Sequence, residues 1–403
     1  MRGECTLSTP IHAVHRAAPR ASLPPFGPET AGTVRRFHSS FPEYRPTPLV
    51  SLSRLAGALG LGALYVKDES QRFGLNAFKV LGGSWAIARC IGQRLQISPE
   101  ELSFDLLTRP SVRKALGELT FVTATDGNHG RGVAWTAARL GMRSVVYMPR
   151  GTARERLDNI LALGSEASIT GLLYDDAVRL AAKQAQERSW ILVQDTSWPG
   201  YDQIPAWIME GYTTLALETA EQLEGVRPTH ILLQAGVGSM AGAVAGFFAS
   251  LWGTECPAVI VVEPHQADCL FRTAQAGDGQ LHSAAGELDT IMAGLACGEP
   301  CGLAWTVLEN WGEHFLSVSD TLSAKGMRIL GSPLPGDPQI ISGESGAVTA
   351  GVTAALMTDP ALSPLRERLD LGPSSRVLCV STEGDTDRAN YRKIVWDGLH
   401  PSL

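Results

Sequence analysis

The sequence has little of what marks the specialised protein classes. Only 19% of its 403 residues are charged, and no basic run interrupts a balance of 34 Lys plus Arg against 41 Asp plus Glu. A net charge of -7 without such a run excludes the electrostatic footprint of a nucleic-acid or anionic-membrane binder. Cysteine is sparse and scattered, at positions 5, 90, 256, 269, 297, 301 and 379. There is no CxxC pair, and Cys297 and Cys301 have no His or Cys partners at zinc-like spacing, so no metal site is expected. The thiols read as structural groups in a reducing, cytoplasmic compartment, with Cys269 and Cys297 left open as a loop pair. The N-terminus lacks the apolar segment of a secretory signal. Repeats of fixed period and low-complexity tracts are also missing.

What is present suits a large soluble fold. A 44% hydrophobic content rules out general disorder, and the length allows two domains around a sizeable core. Glycine, at 42 residues, exceeds the usual share of about 7% and signals many tight strand-to-helix turns. Residues 1–45, with scattered arginines and prolines, read as an extended arm. The charge-free stretch 231–252 is long enough to span a bilayer. Gly236, Gly238, Gly242 and Gly246, with Gln234 near its start, read it instead as a buried strand, a glycine turn and a buried helix.

Short branched apolar runs alternate with helical periodicity along the rest of the chain. Strands are predicted at 64–66, 119–124, 143–148, 167–169, 190–194, 231–233, 259–262, 315–318 and 377–380. Helices are predicted at 76–90, up to 140, and at 153–163, 175–186, 204–223, after 238 and at 345–357. Repeated strand–crossover–strand units mean parallel sheets covered by helices, an α/β class. The expected division is a large domain from 46–92 and 226–403, with 93–225 inserted as a smaller one.

Ligands of such sheets sit outside the strands' carboxyl ends, and four segments carry unusual chemistry there. Gly236-Val237-Gly238-Ser239 precedes a helix, where backbone amides can receive a phosphate. Alone it is also a dinucleotide fingerprint, with Glu263 at the end of the next strand as the ribose-binding acid. Gly74 to Gly83 sets Lys79 among apolar neighbours at a helix start, where burial and the helix dipole disfavour the ammonium and free the amine as a nucleophile. Thr125-Asp126-Gly127-Asn128-His129 offers polar groups directly after a strand, and Ser381-Thr382-Glu383-Gly384 ends another strand in hydroxyls. Each has a plain alternative: a surface lysine, an Asx cap, or packing glycines.

Taken together, in this order, the four segments resemble the fold type II (tryptophan synthase β-like) pyridoxal-phosphate enzymes. The resemblance runs from about residue 44 to the C-terminus. Val66 to Lys79, Ala124 to Gly132, Gln194 to Trp198 and Met292 to Glu299 are most similar to the diaminopropionate ammonia-lyase branch of that family. The resemblance implies two α/β domains with pyridoxal 5'-phosphate in the cleft between them. It makes Lys79 the cofactor lysine. Gly236, Val237, Gly238 and Ser239 become the phosphate loop, and Asn128 the partner of the ring hydroxyl. Ser381 or Thr382 would face the ring nitrogen, with Ser381 favoured by a Ser-x-x-Gly alignment, and Glu344 would lie close to the ring. A neutral hydroxyl there makes the ring a weaker electron sink.

Where relatives commonly carry serine or another small residue, this chain has Asp126. A carboxylate there implies a second general base, facing Lys79 across the substrate. Asp195 is the candidate for holding a β-ammonium leaving group, its alternative being a strand-end cap. The implied reaction converts 2,3-diaminopropionate, in both D and L forms, to pyruvate and two ammonia. A serine or threonine dehydratase, an amino-acid racemase, or a non-catalytic cofactor-binding protein would share most of these residues. The family also implies a homodimer acting on a small amino acid.

Overall fold

The computed structural model describes residues 10–22, 24–125 and 127–401. The strands are β1 (Ile11–His15), β2 (Leu49–Ser51), β3 (Ala63–Asp68), β4 (Thr120–Ala124), β5 (Arg143–Met148), β6 (Glu166–Ile169), β7 (Ile191–Leu192), β8 (His230–Gln234), β9 (Ala258–Pro264), β10 (Gly312–Val318) and β11 (Arg376–Ser381). They form a seven-stranded sheet in the order β1-β10-β9-β8-β11-β3-β2 and a four-stranded sheet in the order β6-β5-β4-β7. The smaller sheet is parallel throughout. The larger is parallel from β10 to β3, and β1 and β2 add antiparallel edges. Parallel strands covered on both faces need continuous apolar runs. His230–Gln234 and Val259–Pro264 are buried at every position.

In its described residues, the expected arm is joined to the larger sheet and its helices. Its strand β1 pairs with β10 from Ile11↔Val318 to His15↔His314. Helix Pro28–Ser39 has proline in its first turn and buries Ala31, Val34 and Phe37 completely. Val34 and Phe37 contribute on the order of 2 kcal/mol each by area transfer, enough to hold the segment down. The charge-free stretch divides into β8 and helix Ser239–Trp252, which is buried over most of its length. Among the described residues no helix is long and apolar enough to cross a membrane.

The predicted helix at 76–90 begins late, at Val80, and runs to Leu95. Residues 76–78 are tied instead to the end of β11: Phe78 N donates to Thr382 O at 3.1 Å, and Gly384 N donates to Asn76 O at 3.0 Å. Lys79 is left at the helix N-cap, anchored to the strand end opposite. A buried ionic cluster fixes the preceding segment. Lys67 Nζ donates to Thr47 O (2.7 Å) and Glu218 Oε2 (2.8 Å), while Arg72 bonds both Glu69 and Glu218. All four side chains are at most 2% exposed.

Candidate active site

The carboxyl ends of β4, β8 and β11 converge on a narrow cavity lined by Lys79, Asn128, Asp195, Gly236, Val237, Gly238, Ser239, Thr382 and Glu383. Lys79, from the start of helix Val80–Leu95, lies 2.8 Å from Asp195 Oδ2. Asp195 follows β7 and is buried. Tyr174 Oη donates to its Oδ1 at 3.3 Å, and Gln194 Nε2 reaches the same oxygen. Burial alone would raise its carboxyl. The charges of Lys79 and His129, with the bonds from Lys79 and Tyr174, hold it well below the usual carboxylate range instead. The site thus keeps a permanent anion against the amine of Lys79.

Across the cavity, helix Ser239–Trp252 begins at Gly238, whose φ of +101° lies in a region that favours glycine. The turn aims the first amides of a long helix at the cavity, an arrangement for an anion. Ser239 Oγ donates to Asp195 O, so the helix start and the Lys79 partner are joined. Asn128 begins helix Asn128–Leu140 and donates through Nδ2 to Glu383 Oε2. Glu383 also accepts from Ser345 N at 3.2 Å and Thr386 Oγ1 at 3.1 Å.

Of the two strand-end hydroxyls, Thr382 borders the cavity. Ser381, favoured by alignment, is buried and donates to Ser342 Oγ at 2.7 Å. The side chain of Glu344 lines a neighbouring outer cleft of about 310 Å³ with Arg156 and Asn390. Its Oε1 accepts from Asn390 Nδ2 at 2.6 Å. Burial first, and Glu383 second, push its carboxyl up to about 7. The segment 293–297 lines both spaces, Gly294 and Cys297 facing inward and Ala293 and Ala296 outward. Asp126 lies outside the described residues.

Glu263 is wholly buried and accepts from Leu270 N (2.9 Å) and Phe271 N (2.6 Å). Its carboxylate is spent on the start of helix Cys269–Ala276, which removes the ribose acid that the dinucleotide alternative requires. Cys269 and Cys297 are both free thiols.

Sequence reasoning missed Glu383, Tyr174 and Tyr212. Glu383 directly follows Thr382 beyond a strand's carboxyl end, so position alone could have found it. The two tyrosines reach the site from helices distant in sequence and carry no local signal. Two buried polar atoms that line or approach the cavity, Tyr212 Oη and Gln234 Oε1, have no hydrogen-bond partner among the described residues. Unpaired buried groups of this kind are costly unless a ligand meets them. With an amine, an anion-receiving helix start and a side-chain amide around them, the residues present fit pyridoxal phosphate.

Comparison with known proteins agrees. The family model described as pyridoxal-phosphate dependent enzyme matches residues 41–383. The chain is 50% identical over 380 residues, 94% of each protein, to diaminopropionate ammonia-lyase of Escherichia coli strain K12. The solved holo form of that lyase from Escherichia coli superposes with a TM-score of 0.91 at 48% identity, covering 97% of both chains. The same lyase in complex with an aminoacrylate-PLP azomethine reaction intermediate gives 0.89 at 48% identity, covering 97% of this chain and 98% of that one.

Proposed function

The chain belongs to the pyridoxal-phosphate dependent enzymes and, within them, to the diaminopropionate ammonia-lyases, and from that premise we propose how its own residues carry the reaction. The activity is the α,β-elimination of one ammonia from 2,3-diaminopropionate, followed by hydrolysis with one water that gives pyruvate and the second ammonia. Pyridoxal phosphate, once bound, supplies the electron sink for the pair left at Cα when its proton departs. The amides of Gly236 to Ser239 would hold its phosphate, Asn128 would orient its ring hydroxyl, and Thr382 would offer the hydroxyl for its ring nitrogen, with Ser381 one residue behind.

Lys79 Nζ takes the Cα proton. Asp195 stays anionic throughout and receives the substrate's β-ammonium when Lys79 turns to Cα. The Lys79–Asp195 pair at 2.8 Å is the observation that carries this reading. Its test is turnover of 2,3-diaminopropionate beside L-serine and L-threonine: pyruvate formed from the diamine supports the assignment, and pyruvate from L-serine or 2-oxobutyrate from L-threonine, with none from the diamine, would move it to a dehydratase.

The reading extends to both enantiomers, with Lys79 serving one and Asp126 the other. It rests on the carboxylate's sequence position directly before Gly127 and Asn128. Asp126→Asn is expected to abolish turnover of one enantiomer and spare the other, and an equal loss of both contradicts the division. The same family premise carries a cytoplasmic homodimer. A light-scattering mass of one chain would contradict the dimer.

A further inference from the structure

Beside the segment that leads into Lys79, and sharing no lining residue with the cofactor cavity, lies a cleft of about 510 Å³ lined by Asn76, Arg131, Glu155, Asn159, Asp385 and Arg388, among others. Two of its four charges answer each other: Asp385 accepts from Asn76 Nδ2 at 3.1 Å and lies 3.8 Å from Arg388 Nε. The other two are left apart. Arg131 Nη1 donates to Leu75 O at 2.9 Å, but its Nε is buried with no acceptor. Burial and the nearby Arg388 press against the Arg131 charge, and Glu155 supports it from a distance. Among the described residues, neither Arg131 nor Glu155 has an ion-pair partner.

A split cation and carboxylate across a polar cleft match a ligand that carries both charges on neighbouring atoms. A bare anion would satisfy Arg131 and be repelled by Glu155 and Asp385. We propose that this cleft is a second site, for an amino-acid zwitterion whose carboxylate meets Arg131 and whose ammonium meets Glu155. Asn76 and Asn159 are placed to hydrogen-bond a polar side chain. The wall of the cleft includes Gly74 and Asn76, shortly before Lys79, and Asp385 and Thr386, just after Glu383, and these two segments are joined through Gly384 N and Asn76 O. An occupant therefore stiffens the loops that shape the reaction site.

The test is calorimetric titration of L-glutamine into holoenzyme treated with borohydride, which fixes the cofactor to Lys79 and closes the first site to amines. Loss of activity on treatment checks the Lys79 assignment separately. The expected result is saturable binding of one L-glutamine per chain, weakened at least tenfold in both Arg131→Gln and Glu155→Gln. Acetate, methylammonium and inorganic phosphate are expected to bind at least tenfold more weakly. Glu155 is half-exposed in a helix, so its variant folds even if the arginine variant does not. Absence of saturable binding overturns the proposal, as does L-glutamine binding unchanged in Glu155→Gln. Phosphate binding that survives Glu155→Gln would mark a plain anion site and overturn it equally.

Discussion

The neighbours of Asp195 hold its carboxyl in the charged form, which is what its proposed role requires. Asp195→Asn keeps the shape and removes the anion beside Lys79 and the seat for the leaving ammonium. Removing one preorganised electrostatic partner costs about 10²–10³ in rate, so kcat is expected to fall within that span in steady-state assays. Retention of more than a tenth of kcat would reduce Asp195 to a structural cap. Glu344 makes a different prediction. Its ordinary value of 4.5 rises to about 7 in the fold, so the folded state holds the proton more tightly than the unfolded one. Its contribution to stability is complete below pH about 4.5 and is lost as pH rises through about 7. Two and a half units correspond to roughly 3 kcal/mol. Urea denaturation at pH 5 and pH 8 is expected to show this loss in the native chain and not in Glu344→Gln.

The elements that deliver Lys79 are held by close contacts and by buried charge. Helix Asn128–Leu140 crosses the lysine so tightly that a Cβ on Gly132 would lie 2.7 Å from Val80 Cα and 3.3 Å from Lys79 C. Gly132→Ala therefore has to push Lys79 or the Asn128 helix aside. Cofactor occupancy, read from the visible absorbance, and kcat are both expected to fall at least tenfold, with secondary structure by circular dichroism unchanged. Glu218 neutralises Lys67 and Arg72 where neither meets water. Breaking such a pair strands buried charge at about 3–5 kcal/mol, so Glu218→Ala is expected to lower unfolding stability by that much in urea titration.

These elements also show where local reading stops. The central strands were legible because each is an unbroken apolar run, and Lys79, Asn128 and the Gly236–Ser239 turn were legible because turn chemistry is local. The start of the lysine helix was misplaced because residues 76–78 give their backbone bonds to 382–384, some 300 positions away. The proposed choice of Thr382 over Ser381 was hidden for a like reason, since the Ser381 hydroxyl is taken up by Ser342 Oγ, 39 positions away.

At the scale of the molecule, the two sheets draw on different stretches of chain, 11–68 with 230–381 and 120–192. We propose domains of 46–92 with 226–403, to which β1 of the N-terminal segment adds an edge strand, and 93–225, facing each other across the cavity. Lys79 and Asp195 come from opposite sides of that division, as do Asn128 and Glu383. The site therefore depends on how the two units meet, and ion pairs between Arg150 and Glu287 and between Arg179 and Glu299 span the same boundary. The central claim is that Lys79 carries pyridoxal phosphate for the elimination of a diamine. The most direct measurement follows the visible spectrum of the purified protein and of Lys79→Ala while D- and L-2,3-diaminopropionate are added separately and pyruvate and ammonia are counted. The account predicts a visible band in the native chain that changes on addition, two ammonia per pyruvate from either enantiomer, and neither band change nor product in Lys79→Ala. A native chain without a band even after pyridoxal phosphate is supplied, or one ammonia per pyruvate, would contradict it.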